Sequence, residues 1–352
     1  MRLNFTNESA NAGIGVKLAP VVNIAAYSTV YGVISLIALV GNVLVCYVIV
    51  RNPDMRTVTN AFLLNLAVAD VLFTVISVPP LLGIEISPDY WVFGEGMCKT
   101  VPFLNTVTLS ASIYTMVALA FDRYHAIVNP FRAKIYHTIK RTLLVITLIW
   151  LFSIAVASPQ IPTQNIIHNP PYRYCREDWT EYGGDSVRKA YSAAVFAIFF
   201  AIPVAIITWA YSAIMRKMRT TAEFSEGMRA GSVNHARVGR TKRKTTMMML
   251  MVIVVFLVCM LPFNILVLVA TFLPLDYLRK NFNSITLTLT ILKVPVVVAS
   301  ACNPIIYNFF SVKFKLAFAD VFSCGKRGAE DTFKRPGKSV ENTDQNKFNT
   351  RL

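Results

Sequence analysis

The chain has 352 residues, 55% of them hydrophobic and only 15% charged, a balance far from that of a soluble domain. That length suits one membrane bundle with short loops and a tail, without space for a second folded domain. The net charge of +16 would suit a nucleic-acid binder, but the charge lies almost wholly on one side of the expected bundle, which excludes that reading.

Residues 1–23 form an expected extracellular tail. They are polar and lack the apolar core of a cleavable signal peptide, so the first span is expected to act as its own anchor. Two glycosylation sequons, at Asn4 and Asn7, lie in this tail. Seven long apolar stretches follow, at residues 24–50, 58–83, 97–127, 142–159, 191–214, 247–273 and 285–310. A bilayer core takes about 20 apolar residues per helix, which most of these clear; the fourth is a little short. Within them VIVVFLVCML (252–261) and LLVITLIW (143–150) are apolar all round, unlike the one-sided stripe of a soluble helix. The fold expected is an all-α membrane protein with a seven-transmembrane helix bundle over 24–310. An amphipathic eighth helix at 311–323 and a disordered cytoplasmic tail at 324–352 complete it.

The loops carry the charge asymmetry. Arg51 and Arg56 follow the first span; Arg132, Lys134, Lys140 and Arg141 lie between the third and fourth. A dense basic run from Arg216 to Lys244 joins the fifth and sixth, and further lysines and arginines fill the tail. Basic residues mark the cytoplasmic side, which predicts an extracellular N-terminus and a cytoplasmic C-terminus. Cys98 and Cys175 then both face the oxidising side, where a disulfide is chemically permitted and no other outer cysteine is available. Cys46, Cys259 and Cys302 lie inside spans as packing residues. Cys324, past the amphipathic stretch, is a candidate for palmitoylation.

Charges within the spans need reasons, because they are expensive there. Asp70 lies mid-span in LNLAVADVLF, Asp122 and Arg123 at the end of span three, and Lys293 in the outer half of span seven. Asp70 reads either as a buried carboxyl satisfied by neighbours or as a cation site. The oxygen-bearing Asn42, Ser112, Ser300 and Asn303 favour the cation, and sodium is the expected ion, as oxygen ligands suit hard cations. Prolines at 79–80, 159, 203, 262, 295 and 304 interrupt the expected helices, either as fixed shape or as hinges. No catalytic motif, metal-ligand cluster or cofactor signature is present, so no enzyme is expected. No internal repeat is visible, which weighs against a transporter. A transporter would also want paired charges on several helices, and Asp70 is the one deep carboxyl.

The ordered set GNVLV (41–45), LNLAVAD (64–70), WVFGEGMC (91–98), DRY (122–124), Trp150, Pro203 with Tyr211, and NPIIY (303–307) resembles the rhodopsin-like G-protein-coupled receptors. The resemblance covers nearly all of 24–324. It implies a receptor in the plasma membrane whose partners are an extracellular ligand, a heterotrimeric G protein, arrestin and the lipid bilayer. Asp122, Arg123, Tyr124, Tyr211 and Tyr307 would form the G-protein switch, and Ile113, Pro203 and Phe256 the connector between spans. Asn42, Asp70, Ser112, Ser300 and Asn303 would form the sodium pocket. The chain departs from the pattern where Met260 replaces the usual tryptophan of span six. Lys242 and Arg243 stand where an acid would complete an ionic lock.

The resemblance also narrows the ligand. The span-three position that is acidic in amine receptors is Asn105, and the retinal lysine position is Val297. Pro79-Pro80 and the segment YCREDW (174–179) resemble receptors for galanin, allatostatin, neuropeptide Y and RFamide peptides. A short amidated peptide is therefore expected, with Asn105, Thr106, Asn264 and Lys293 as deep contacts. Glu177 and Asp178 would pair a basic residue whose charge lies on the ring of Trp179. A receptor for a non-peptide small ligand is the alternative.

Overall fold

The computed structural model describes residues 24–86, 90–130, 138–227 and 233–322, with side chains given for all of these but 24, 85, 86, 169 and 221–243. Asn4, Asn7 and Cys324 lie outside the described residues. Among the described residues seven helices are long and apolar enough to cross a membrane, as expected. Span one is Ile24–Arg51, span two Val58–Ile86, span three Gly94–Val128 and span four Ile139–Ala157. Span six is Val233–Phe272 and span seven Phe282–Phe310; the short helix Val312–Phe322 follows. Spans four and six are exposed on most of their apolar surface, for lipid is as favourable to leucine as another helix.

Span five departs from a plain helix. Gly184–Phe196 leads into a π-helical turn at Ala197–Ala201, and Ile202–Gly227 resumes the α-helix with Pro203 in its first turn. The hydroxyl of Tyr114 in span three donates to the Ile198 carbonyl within this turn at 2.9 Å. Most of the prolines do not break their helices. Span two runs through Pro79 and Pro80, span six through Pro262, and span seven through Pro295 and Pro304. Pro159 instead follows a helix end, after span four closes at Ala157.

The segment between spans four and five holds a feature not expected from the sequence. Strand β1 (Gln164–Asn169) and strand β2 (Tyr172–Glu177) pair antiparallel as a hairpin. Cys175 of β2 is disulfide-bonded to Cys98 near the start of span three. Trp91 joins it: its backbone N–H donates to the Arg173 carbonyl at 2.7 Å and its indole to the Gly94 carbonyl at 2.6 Å. The disulfide end of the bundle is thus covered by a hairpin held from two sides.

Close helix approaches set the interior. Gly41 of span one faces the Pro304 ring, 2.8 Å from where a Cβ would stand, so only glycine lets spans one and seven meet there. Asn65 ties three spans together. Its amide donates to the Thr115 hydroxyl at 2.7 Å, and its carbonyl accepts from the Trp150 indole at 2.8 Å. One large apolar cluster centred on Leu63, Met116, Ile214, Met249 and Tyr307 fills the half of the bundle nearer Arg123.

Candidate functional site

Beneath the hairpin a cavity of about 210 Å³ opens between spans two, three, six and seven. Asn105 and Thr106 of span three, Asn264 of span six and Lys293 of span seven line it, among Phe73, Leu109, Phe263 and Val296. The expected deep contacts are therefore brought together. Asn105 accepts a hydrogen bond from the Ser77 hydroxyl, Thr106 accepts one from Gln160 at 2.8 Å, and the Asn264 amide donates to its own helix at the Met260 carbonyl, 2.9 Å away. The apolar lining was invisible in the sequence, because a phenylalanine facing a cavity and one facing lipid look alike in helices that are apolar all round.

The expected loop contacts stand apart from this cavity. Trp179 is 6% exposed, packed 5.1 Å from the Tyr191 ring, and its indole donates to Glu177 at 3.2 Å. The ring is therefore largely covered in this packing, with Tyr191 beside it. Asp178 accepts from both the backbone N–H and the hydroxyl of Thr180, and these bonds hold its carboxyl below the usual carboxylate range. Glu177 is more open and has the Arg188 guanidinium 3.6 Å away. Arg188, missed in the sequence, also pairs with Asp185 at 2.6 Å and reaches the Thr271 carbonyl of span six at 3.4 Å.

The cavity continues downward to Asp70, Ser112 and Ser300. Asp70 is 5% exposed. Its Oδ1 accepts from the Ser300 hydroxyl at 3.0 Å and its Oδ2 from the Asn303 amide at 2.7 Å. Asn42 donates to the Ser300 carbonyl at 3.0 Å and to the Ala38 carbonyl at 2.8 Å, leaving its own amide oxygen buried without a hydrogen bond. Four of the five residues expected here are thus linked around one carboxylate, and Ser112 lines the same space. The donors fit the carboxylate's lone pairs, and oxygen atoms are what a hard monovalent cation takes.

Lower in the bundle Ile113, Pro203 and Phe256 line one apolar gap of roughly 10 Å³, together with Phe199, Phe200 and Ile253. At the far end Arg123 pairs with Asp122 at 2.5 Å, and Thr59 donates to the same carboxylate at 3.1 Å. Tyr124 instead faces the Trp209 ring of span five, 5.1 Å away. The hydroxyls of Tyr211 and Tyr307 are both buried and find no hydrogen-bond partner among the described residues. Tyr307 packs against Phe314 of the short helix, 5.4 Å between rings.

A seven-helix membrane bundle of this kind, with a covered cavity at one end and a held arginine at the other, has the form of a membrane receptor. Residues 41–307 match the 7 transmembrane receptor (rhodopsin family), and the chain belongs to that family. It is 31% identical over 322 residues to neuropeptide FF receptor 2 of Mus musculus, covering 86% of this chain and 74% of that protein. Against neuropeptide FF receptor 2 of Rattus norvegicus the identity is 30% over 322 residues, again 86% of this chain and 74% of that protein.

Proposed function

We propose that the chain is a cell-surface receptor for a short extracellular peptide and passes the binding signal to a heterotrimeric G protein. The likeness that carries this reading is the 31% identity, over most of both chains, to a receptor named for a neuropeptide. The cavity agrees with it. Its walls are mostly apolar, with Asn105, Thr106, Asn264 and Lys293 as the few polar groups that would orient a ligand. An amide cap offers donors for the asparagine oxygens, and the Lys293 ammonium suits a peptide carbonyl.

In this reading the hairpin end faces outward and the Arg123 end faces the cytoplasm, as the basic loops require. Glycans stand on Asn4 and Asn7, a palmitoyl group on Cys324, and arrestin meets the same cytoplasmic face as the G protein. Glu177 takes the basic residue of the peptide by exchanging Arg188 for it. Sodium sits on Asp70 in the resting state, held by the oxygens of Ser112, Ser300, Asn42 and Asn303. Ile113, Pro203 and Phe256 relay the motion. Arg123, freed from Asp122, meets the G protein with Tyr211 and Tyr307 in support, while Tyr124 keeps its seat on Trp209. A ligand moves this equilibrium only by its difference in affinity for the two packings.

The test is a peptide-library screen on cells expressing the chain, read by calcium or cAMP. Hits are then assayed for nucleotide exchange with purified chain and G protein. Amidated peptides with a basic penultimate residue are expected to be the most potent, with free-acid forms weaker. Activation at low dose by a monoamine or a lipid, with peptides silent, would overturn the reading.

A further inference from the structure

Arg188 stands where three elements meet at the hairpin end of the bundle. It lies early in span five, within Gly184–Phe196. Its Nη2 donates to Asp185 of the same helix at 2.6 Å, and its Nε donates to the same oxygen at 3.0 Å. Nη2 also donates to the Thr271 carbonyl of span six at 3.4 Å, and Nη1 lies 3.6 Å from Glu177 Oε1 of strand β2. A guanidinium carries five N–H donors in a rigid fork, so one arginine can serve acceptors on several elements at once.

The three contacts are unequal. Asp185 has a second cation, Lys189, at 2.8 Å. Thr271 is 8% exposed and lies in the last turn of span six, where helix carbonyls run out of amide partners and a cation is favoured. Glu177 is held most loosely. At 3.6 Å it makes an ion pair with Arg188 but no hydrogen bond, and 44% of its side chain is exposed. Its Oε2 accepts from the Trp179 indole at 3.2 Å, which leaves Oε1 toward Arg188. Glu177 and Asp185 are thus matched by Arg188 and Lys189, two charges against two. A further cation at Glu177 puts the positive side in surplus, and the Thr271 carbonyl is the acceptor still within reach of Arg188.

We propose that Arg188 couples the charge state of Glu177 to the end of span six. A cation that takes Glu177 frees the Arg188 fork to close on the Thr271 carbonyl. Occupancy of the hairpin then fastens span five to the last turn of span six. Arg188 is a positioning residue: it carries the effect from strand β2 to span six and is not itself the seat of the ligand. The cation that fits is a guanidinium, whose planar fork suits a carboxylate better than a point charge does. The proposal rests on the reading of Glu177 as the seat of the peptide's basic residue. It adds what the displaced arginine does and which element responds.

The experiment uses the full-length receptor purified in detergent without ligand. The readout is hydrogen–deuterium exchange in the last turn of span six, residues 267–272. Glu177→Gln keeps an oxygen for the Trp179 indole and removes the charge that competes for Arg188. It is expected to slow exchange there by roughly two- to fivefold, the typical effect of a cation at a helix C-terminus. Arg188→Gln is expected to speed exchange by a like factor, and the double variant to match Arg188→Gln alone. The two single variants thus move the same amides in opposite directions. An ion pair that only fastened the hairpin to span five would loosen in both. The probe for the outside cation is N-acetyl-argininamide, with N-acetyl-citrullinamide at matched ionic strength as the uncharged control. The argininamide is expected to slow exchange in the parent and to change nothing in Glu177→Gln. Faster exchange in both single variants overturns the proposal, as does slowing by Glu177→Gln that survives in the double variant. Opposed variants with no response to the argininamide overturn the displacement by an outside cation. Opposed variants that do respond to it, with every peptide silent in the library screen, uphold the coupling and remove the peptide reading instead.

Discussion

Two kinds of residue carry disproportionate weight here: those that permit a close approach and those that hold a charge. Gly41 is the first kind. A Cβ there would lie 2.8 Å from Pro304 Cγ, part of a rigid ring that cannot rotate aside. Gly41→Val is therefore expected to cost about 1–3 kcal/mol, the usual range for forced overpacking. The check is a lowered unfolding temperature of the purified receptor, accompanied by loss of the Asn42 to Ser300 tether that this approach makes reachable. Asp70 is the second kind. Each of its two oxygens accepts one hydrogen bond, from Ser300 and from Asn303, and Asn keeps the shape of the site while removing the charge. Asp70→Asn is expected to leave the fold intact and to abolish the sodium dependence of agonist affinity, measured by competition binding in sodium and in choline. Sodium sensitivity that persists in the mutant would count against the ion site.

At the scale of elements, the hairpin β1–β2 is the piece that most depends on a covalent tie. Its two strands form a sheet of their own, with one further bridge from Tyr90 to Arg173, and a two-stranded hairpin is marginal in water without further support. The Cys98–Cys175 bond supplies that support and closes a long loop. Cys98→Ala is expected to cost about 2–4 kcal/mol. It should also lower surface expression and weaken peptide binding more than it affects the Arg123 end, as read by antibody staining and radioligand binding on intact cells. The disulfide partners were legible because topology put just two cysteines on one side. The hairpin was not: QNIIHN and YRYCRE alternate weakly, and nothing local distinguishes such segments from polar loop. The spans were legible because lipid demands about 20 apolar residues each. That same uniformity hid which faces turn inward, and so hid Phe73, Leu109 and Phe263 as cavity wall. The π turn at Ala197–Ala201 left no mark in the sequence, since AIFFA suits an α-helix equally well; only the Tyr114 hydroxyl on Ile198 reveals how it is supported. The interior polar set around Asp70 was legible for the opposite reason, as polar residues in lipid are rare enough to stand out. The burial of Trp179 was not legible, because position beside two acids says nothing about which way a ring faces.

For the whole molecule, the question is what holds the resting packing and what a second packing would gain. Arg123 is bonded to Asp122 and Thr59 at one end of the bundle, while the hydroxyls of Tyr211 and Tyr307 are buried with no hydrogen-bond partner among the described residues. A buried polar group without a partner costs about 1–3 kcal/mol. A different arrangement of spans five and seven that brings these hydroxyls to each other, to Arg123 or to water would be favoured by the hydrogen bonds gained. Removing either hydroxyl should then act with opposite signs on stability and on signalling. Tyr211→Phe and Tyr307→Phe are each expected to leave the unfolding temperature of the ligand-free receptor unchanged or raised, and to lower agonist-stimulated nucleotide exchange. Arg123→Ala should remove exchange altogether and keep peptide binding, because it lies at the opposite end from the cavity. The measurement pairs thermal unfolding of purified receptor with exchange on reconstituted G protein. If the phenylalanine variants instead melt lower and signal as well as the parent, the hydroxyls are satisfied in the resting state, and the energy difference that drives switching must come from elsewhere.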